Sequence, residues 1–200
     1  MKIAIISGSH RKESQSERVS RYIQSTLAAR NVESEIISLS GNPLPLWDEE
    51  VWANSPTWDS LWTPISKKLQ SASAFVIVTP EWAGMAPPAL KNFLLLCSTT
   101  EVGHKPALIV AVSSGLGGSY PIAELRLSSY KNNRLVYLPE HVIVRDVANL
   151  LHGDTAAGKR DEEARARIGY GLNLLEEYAR ALVSVRESGA INHVDFPYGL

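Results

Sequence analysis

The sequence predicts an α/β fold built on a doubly wound parallel sheet, and three observations carry that expectation. Short apolar runs recur without the polar alternation of a half-exposed strand, so the strands are expected to be buried on both faces. Segments of helical period separate them, and strand alternating with helix implies right-handed crossovers with helices on both sides of the sheet. A chain of 200 residues, 44% of them apolar, is long enough to bury about 70% of its unfolded surface around one core. Residues 1–200 are therefore expected to form one domain.

The first strand is KIAIIS at residues 2–7, followed by a helix in which Val19, Ile23 and Leu27 recur at four-residue spacing. SEIISL at 34–39 is the second strand. An irregular insert, LPLWDEEVWANSPTWDSLWTP at 44–64, comes next, and Thr63 with Pro64 is expected to start a helix as cap and first helical residue. AFVIVT at 74–79 is the third strand, and Pro87 and Pro88 open a helix carrying Leu90, Leu94 and Cys97. ALIVAVS at 107–113 is the fourth, with a helix beyond Pro121 that carries Ile122 and Leu125. RLVYL and HVIVRDV, between 134 and 147, form a weaker pair of runs. The last helix has the clearest period: Ile168, Leu172, Leu175, Ala179 and Leu182 follow an acidic first turn of Asp161, Glu162 and Glu163, and Gly189 stops it.

The charge balance narrows the function. Twenty Lys and Arg against 21 Asp and Glu leave a formal charge of −1, so no broad field draws nucleic acid or an anionic membrane, and binding specificity is local. Cys97 is the only cysteine, which excludes an internal disulfide and any multi-cysteine metal site and suits a reducing compartment. No apolar run reaches membrane-spanning length, and the N-terminus lacks the apolar stretch of a signal peptide; the expected location is the cytoplasm. The five histidines show no metal-ligand spacing, and no metal is expected.

In a doubly wound sheet, ligands bind outside the carboxyl ends of the strands. Three loops there carry candidate chemistry. After the first strand, Ser9, Arg11, Ser14 and Ser16 surround a helix N-terminus, where unpaired N–H groups and the helix dipole favour an anion. A phosphate ester fits such a loop, with Arg11 adding a charge-assisted contact. Ser14 to Glu17 equally matches the S-x-x-E capping box, in which case these residues only terminate a helix. After the third strand, in TPEWAGMAPPALKN at 79–92, Pro80 and Gly84 shape a turn, and Trp82 and Met85 either wall an aromatic ligand or pack the entrance to the next helix. After the fourth, SSGLGGSYP at 113–121 holds three glycines in four residues, either a close backbone approach to a ligand or a flexible turn. Tyr120 stands where G-x-G-x-x-G needs its last glycine, so this is not a dinucleotide fingerprint. In a sheet ordered 2-1-3-4-5 the three loops converge on one edge.

Gly8, Ser9, Arg11 and Ser14 match a G-S-x-R-x-x-S-x-N motif in which Ser16 replaces the asparagine. Pro80, Glu81, Gly84, Pro87, Leu90, Lys91 and Asn92 match P-E-Y-N-G-S-x-P-x-x-L-K-N, with Trp82, Ala83 and Met85 in place of its tyrosine, asparagine and serine. With the glycine loop and the L-P-L segment at Leu44 to Leu46, these motifs make residues 2–147 similar to the NAD(P)H-dependent FMN reductase family, flavodoxin-like enzymes that include quinone, chromate and azo-dye reductases. The resemblance implies a three-layer flavodoxin-like fold with a five-stranded sheet.

It also implies an FMN site. The phosphate would rest on Ser9, Arg11, Ser14, Gln15 and Ser16. Pro80, Glu81, Trp82, Ala83 and Gly84 would line one side of the ring, and Ser113, Gly115, Gly117 and Gly118 would approach its other edge. No protein residue is expected to be catalytic, because the flavin carries hydride from NADPH or NADH to a quinone, flavin or similar small acceptor in a ping-pong cycle. Ala83 and Met85 remove side-chain hydrogen-bonding groups, and Glu81 is expected to make a structural contact to the loop. Family members assemble as homodimers or homotetramers, which makes Trp47 and Trp52 candidates for a subunit boundary. Two other readings compete: a flavodoxin-like electron carrier, against which the charge of −1 counts, and a non-catalytic relative that has lost its flavin.

Overall fold

Strands β1 (Lys2–Ser7), β2 (Glu33–Ser38), β3 (Ala74–Pro80), β4 (Pro106–Val112) and β5 (Val136–Val144) form one parallel sheet, order β2-β1-β3-β4-β5, in a computed structural model describing residues 1–53 and 55–199. Every residue of β3 and β4 is buried, as strands covered on both faces require. Alternate residues feed two cores. Ile3 and Ile5 join Val76, Leu108 and Val110 under α1 (Gln15–Ala28) and α6 (Lys159–Glu187). Ala4 and Ile6 join Phe75, Ile77 and Ile109 on the other face, under α2 (Pro56–Ser71), α3 (Pro88–Leu96), α4 (Thr99–Val102) and α5 (Ser119–Leu127). Helices thus cover the sheet in three layers. Strand order reverses between β1 and β3, and such a switch point opens a crevice above the strand ends.

Three expectations about elements change. Pro64 lies inside α2, whose cap and first residue are Ser55 and Pro56. The same Ser/Thr-Pro signature occurs twice, and the earlier copy wins because Trp58 and Leu69 then share one buried stripe. The two weak runs near residue 140 are a single strand. Its register jumps from Tyr137 opposite Ala107 to His141 opposite Ile109, so Leu138 to Glu140 bulge out, and the guanidinium of Arg126 donates to the three carbonyls left behind. Third, α5 begins at Ser119, which puts Pro121 in a first turn whose N–H groups need no helical partner. The acidic start of α6 also does more than favour the dipole. Asp161 is buried and accepts from Leu151 N–H (2.7 Å), Ala157 N–H (3.0 Å) and Arg165 (3.1 Å). Burial opposes its ionisation, but these donors prevail and hold the carboxyl below its usual range.

Beyond α6 the chain returns to the sheet. Arg134 donates to the carbonyls of Phe196 and Pro197, and His193 stacks on His104 with ring centroids 5.7 Å and planes 10° apart. The Nε2 atoms of both rings are buried without a partner. Burial, then the proximity of His193, Arg134 and Arg186, lowers the His104 pKa below the ordinary 6.5. The folded state therefore binds fewer protons than the unfolded chain just below that value. Stability is full above it and declines as the pH falls through it. His104→Asn is expected to reduce the decline in urea midpoint between about pH 7.5 and about pH 5.5, with His141, lowered by burial and by Arg126 and Arg167, supplying the rest. An undiminished decline in the variant contradicts this.

Among the described residues, no helix is long and apolar enough to cross a membrane.

Candidate functional site

The first loop leaves β1 at Gly8, whose N–H donates to Val78 of β3 (2.8 Å). Ser14 caps α1, its hydroxyl accepting from Glu17 N–H at 3.1 Å. Only half of the capping box forms, because the Glu17 carboxylate turns away to Ser38 Oγ (2.9 Å) and Arg21 (3.2 Å). No acidic side chain therefore closes the mouth of the helix from that position. Gln15 and Ser16 occupy the first turn, where amides have no helical carbonyl to meet. The Gln15 carboxamide oxygen accepts from Arg18 Nε at 2.7 Å, which leaves its side-chain NH2 and its backbone N–H as the donors this residue offers. Ser9 Oγ accepts from Arg11 N–H at 3.4 Å, and the Arg11 side chain is exposed. Ser16 is 1% exposed and its hydroxyl has no partner. A buried hydroxyl without a bond is costly, and here it belongs to the second residue of α1, whose own N–H has no helical carbonyl to meet.

The second loop is a two-residue hairpin. Trp82 and Met85 exchange backbone hydrogen bonds of 3.0 and 2.9 Å, and the residues between them, Ala83 and Gly84, both have positive φ, 48° and 73°. That is the pattern of a type I′ turn, which favours Asn-Gly. Position 83 is thus dictated by backbone conformation as much as by any ligand. An L-residue with a Cβ is disfavoured there by about 1–2 kcal/mol. Ala83→Asn is expected to raise stability by about 0.5–1 kcal/mol, read as a higher urea midpoint at unchanged slope; a lower midpoint contradicts it. The rest of this motif is scaffold. Asn92 accepts from Trp47 N–H (2.8 Å) and donates to Pro45 C=O (2.7 Å), fixing the L-P-L segment. Lys91 pairs with Glu124 (2.7 Å), which also accepts from Ala86 N–H (2.6 Å). Burial works against Glu124 ionising, yet these two donors hold its carboxyl below the usual range.

The glycine loop docks against the second. Gly118 donates its N–H to the Glu81 carboxylate, the loop contact expected of that residue. Ser113 is buried and Gly115 N–H bonds its hydroxyl at 3.3 Å, while Asp146 N–H and Val147 N–H hold the carbonyls of Gly115 (3.0 Å) and Ser113 (3.2 Å). The first and second loops touch through rings: His10 meets Trp82 edge-on with centroids 4.5 Å apart. The structure thus links the first loop to the second and the second to the third along one edge of the sheet.

Two residues here were given no part in the site by the sequence, His10 being read only as a surface or packing residue. His10, the variable position of the first motif, packs on Trp82 with its Nδ1 buried and unpartnered. Arg145, directly after β5, donates to the carbonyls of Leu116 (2.7 Å) and Gly117 (3.0 Å). The position of Arg145 at a strand's carboxyl end was its one signal. Trp58 is buried, whereas Trp52 is 74% exposed and lies edge-on to Trp47 at 4.9 Å. Cys97 follows α3 as a buried core residue, its thiol pKa raised first by burial and then by Glu101.

Two other concavities lie away from these loops. One of about 520 Å³ is lined by Arg18, Arg21, Arg30 and Arg165, and one of about 370 Å³ by Tyr130 and Tyr137. The arginines of the first are bonded to protein carbonyls or carboxylates.

Parallel strand order with three loops at the switch point defines a flavodoxin-like fold. Solved structures agree. A flavoenzyme NAD(P)H:(acceptor) oxidoreductase, FerB, from Paracoccus denitrificans superposes with a TM-score of 0.69 at 19% identity, covering 92% of this chain and 97% of that one. A flavodoxin from the domain Archaea gives 0.53 at 12% identity, covering 89% and 99%. Residues 1–149 match the sequence model described as NADPH-dependent FMN reductase, and the chain belongs to that family. Among curated relatives, a quinone reductase of Pseudomonas putida is 30% identical over 122 residues, 59% of this chain and 63% of that protein. An NADPH azoreductase of a Bacillus species is 33% identical over 116 residues, 58% and 60%. The chain spans less than two thirds of the length of these relatives.

Proposed function

We propose that the protein is an FMN-dependent oxidoreductase that passes reducing equivalents from NADPH or NADH to a small acceptor, such as a quinone or an azo compound. The observation that carries this reading is the Ser16 hydroxyl, buried and unpartnered beside the free first-turn amides of α1. A phosphate fits what the loop lacks. It accepts from Ser16, Ser14 and the amides of Gln15 and Ser16, and Arg11 meets its charge from the solvent side. Ser9 keeps the Arg11 backbone in place. The hairpin of Pro80 to Gly84 offers Trp82 as an aromatic wall, and Ser113, Gly115, Gly117 and Gly118 offer backbone at the opposite edge.

When bound, FMN supplies hydride acceptance from the nicotinamide and onward transfer to the acceptor, a sequence that gives ping-pong kinetics. The chain's own residues bind and orient; none has to move a proton. The exposed Trp52 and Leu46 support a homodimer or homotetramer with its boundary beside the insert.

The test is an anaerobic spectrum of FMN-loaded protein. NADPH or NADH is expected to bleach the visible flavin band, and a quinone to restore it. Bound FMN that neither nicotinamide reduces contradicts the enzyme reading and favours a carrier.

A further inference from the structure

We propose that Arg145 is a positioning residue of the flavin site, holding the glycine loop from behind while Glu81 holds it from the front. The inference rests on the flavin reading above. The two side chains grip one peptide unit. The carbonyl of Gly117 accepts from Arg145 Nε at 3.0 Å, and the amide on the far side of that bond, Gly118 N–H, donates to the Glu81 carboxylate. A trans peptide points its C=O and N–H in opposite directions, so a cation on one side and an anion on the other fix its plane. Charged partners also make these bonds roughly twice as strong as neutral ones.

The consequence falls on the preceding unit. Arg145 Nε also takes the Leu116 carbonyl, at 2.7 Å. The N–H of that unit belongs to Gly117, and it points away from Arg145, on the side where Glu81 lies. It donates to no group among the described residues. Glu81 packs directly against Gly117: its Oε1 lies 2.7 Å from where a Cβ at this position would stand. The result is one unbonded donor, facing away from Arg145, on a backbone held between opposite charges. It serves as a hydrogen-bond donor to the ring of the flavin rather than to its phosphate.

Arg145 acts only through the loop, so its signature differs from that of Arg11. Arg145→Met is expected to weaken FMN and riboflavin by the same factor, up to about tenfold, which is what one neutral hydrogen bond from the glycine loop supplies. Arg145→Lys keeps a cationic donor without the planar guanidinium and is expected to recover part of the loss. In flavin-free protein, the Gly118 amide proton is expected downfield by NMR and is expected to move upfield in Glu81→Gln. Dissociation constants for both flavins come from fluorescence titration. Unchanged affinities, a loss confined to FMN, or identical behaviour of the Lys and Met variants each overturns the proposal. If Arg145→Met does not fold, Arg145→Lys and Glu81→Gln carry the comparison. Wild-type protein that binds neither flavin overturns the functional reading and the proposal with it, whereas normal wild-type binding unaffected by the variants overturns the proposal alone.

Discussion

Arg11→Glu is expected to weaken FMN binding by about 100-fold or more, the equivalent of about 2.7 kcal/mol. A charge-assisted hydrogen bond contributes about 1.5–3 kcal/mol, and the substituted carboxylate adds repulsion against the phosphate. The folded protein itself loses little. Arg11 is exposed, and the hydrogen bonds it makes within the loop are backbone ones, its N–H to Ser9 Oγ and its carbonyl from Ser40 Oγ, which survive the substitution. Fluorescence titration with FMN, alongside a thermal melt of the flavin-free protein, separates the two effects. An unaltered dissociation constant contradicts the assignment of Arg11, and a collapse in melting temperature would mean that the residue is structural.

The other large effect falls on stability. Gly118 caps α5 at φ +104°, and a Cβ there would lie 2.3 Å from Ile143 Cγ2. Overpacking of this kind costs about 1–3 kcal/mol, and a left-handed backbone with a Cβ about 1–2 kcal/mol more. Gly118→Ala is therefore expected to lose roughly 2–5 kcal/mol of unfolding free energy, a large share of a typical domain's total. Shortening the neighbour in the double variant Gly118→Ala, Ile143→Ala relieves the overlap but leaves the φ penalty, so it recovers only part. A single variant within about 1 kcal/mol of wild type by urea unfolding contradicts the account.

The sheet was legible in the sequence because buried parallel strands leave unalternated apolar runs, and β1 ends where KIAIIS ends. The helix boundaries were harder. Ser55-Pro56 and Thr63-Pro64 carry the same start signal, and only the packing of Trp58 decides between them. β5 read as two runs because Pro139 interrupts it in a bulge whose carbonyls are recovered by Arg126, a residue distant in sequence. In the candidate site, the first loop stood out because its chemistry is compact: hydroxyls, a cation and a helix start within nine residues. The departures at Trp82, Ala83 and Met85 read differently once folded. Ala83 occupies a left-handed turn position that disfavours alanine, a backbone strain that side-chain chemistry does not reveal. Arg145 was invisible for the opposite reason: its partners are carbonyls, which every residue has, so no pattern of side chains marks them.

All of the functional reading depends on a phosphate being gripped at the start of α1. Riboflavin has the same ring system as FMN without the phosphate, and the comparison of the two dissociation constants for the wild-type protein isolates that grip. FMN is expected to bind about 100-fold or more tightly, as several charge-assisted hydrogen bonds require. Equal affinities for FMN and riboflavin would contradict the account at its base.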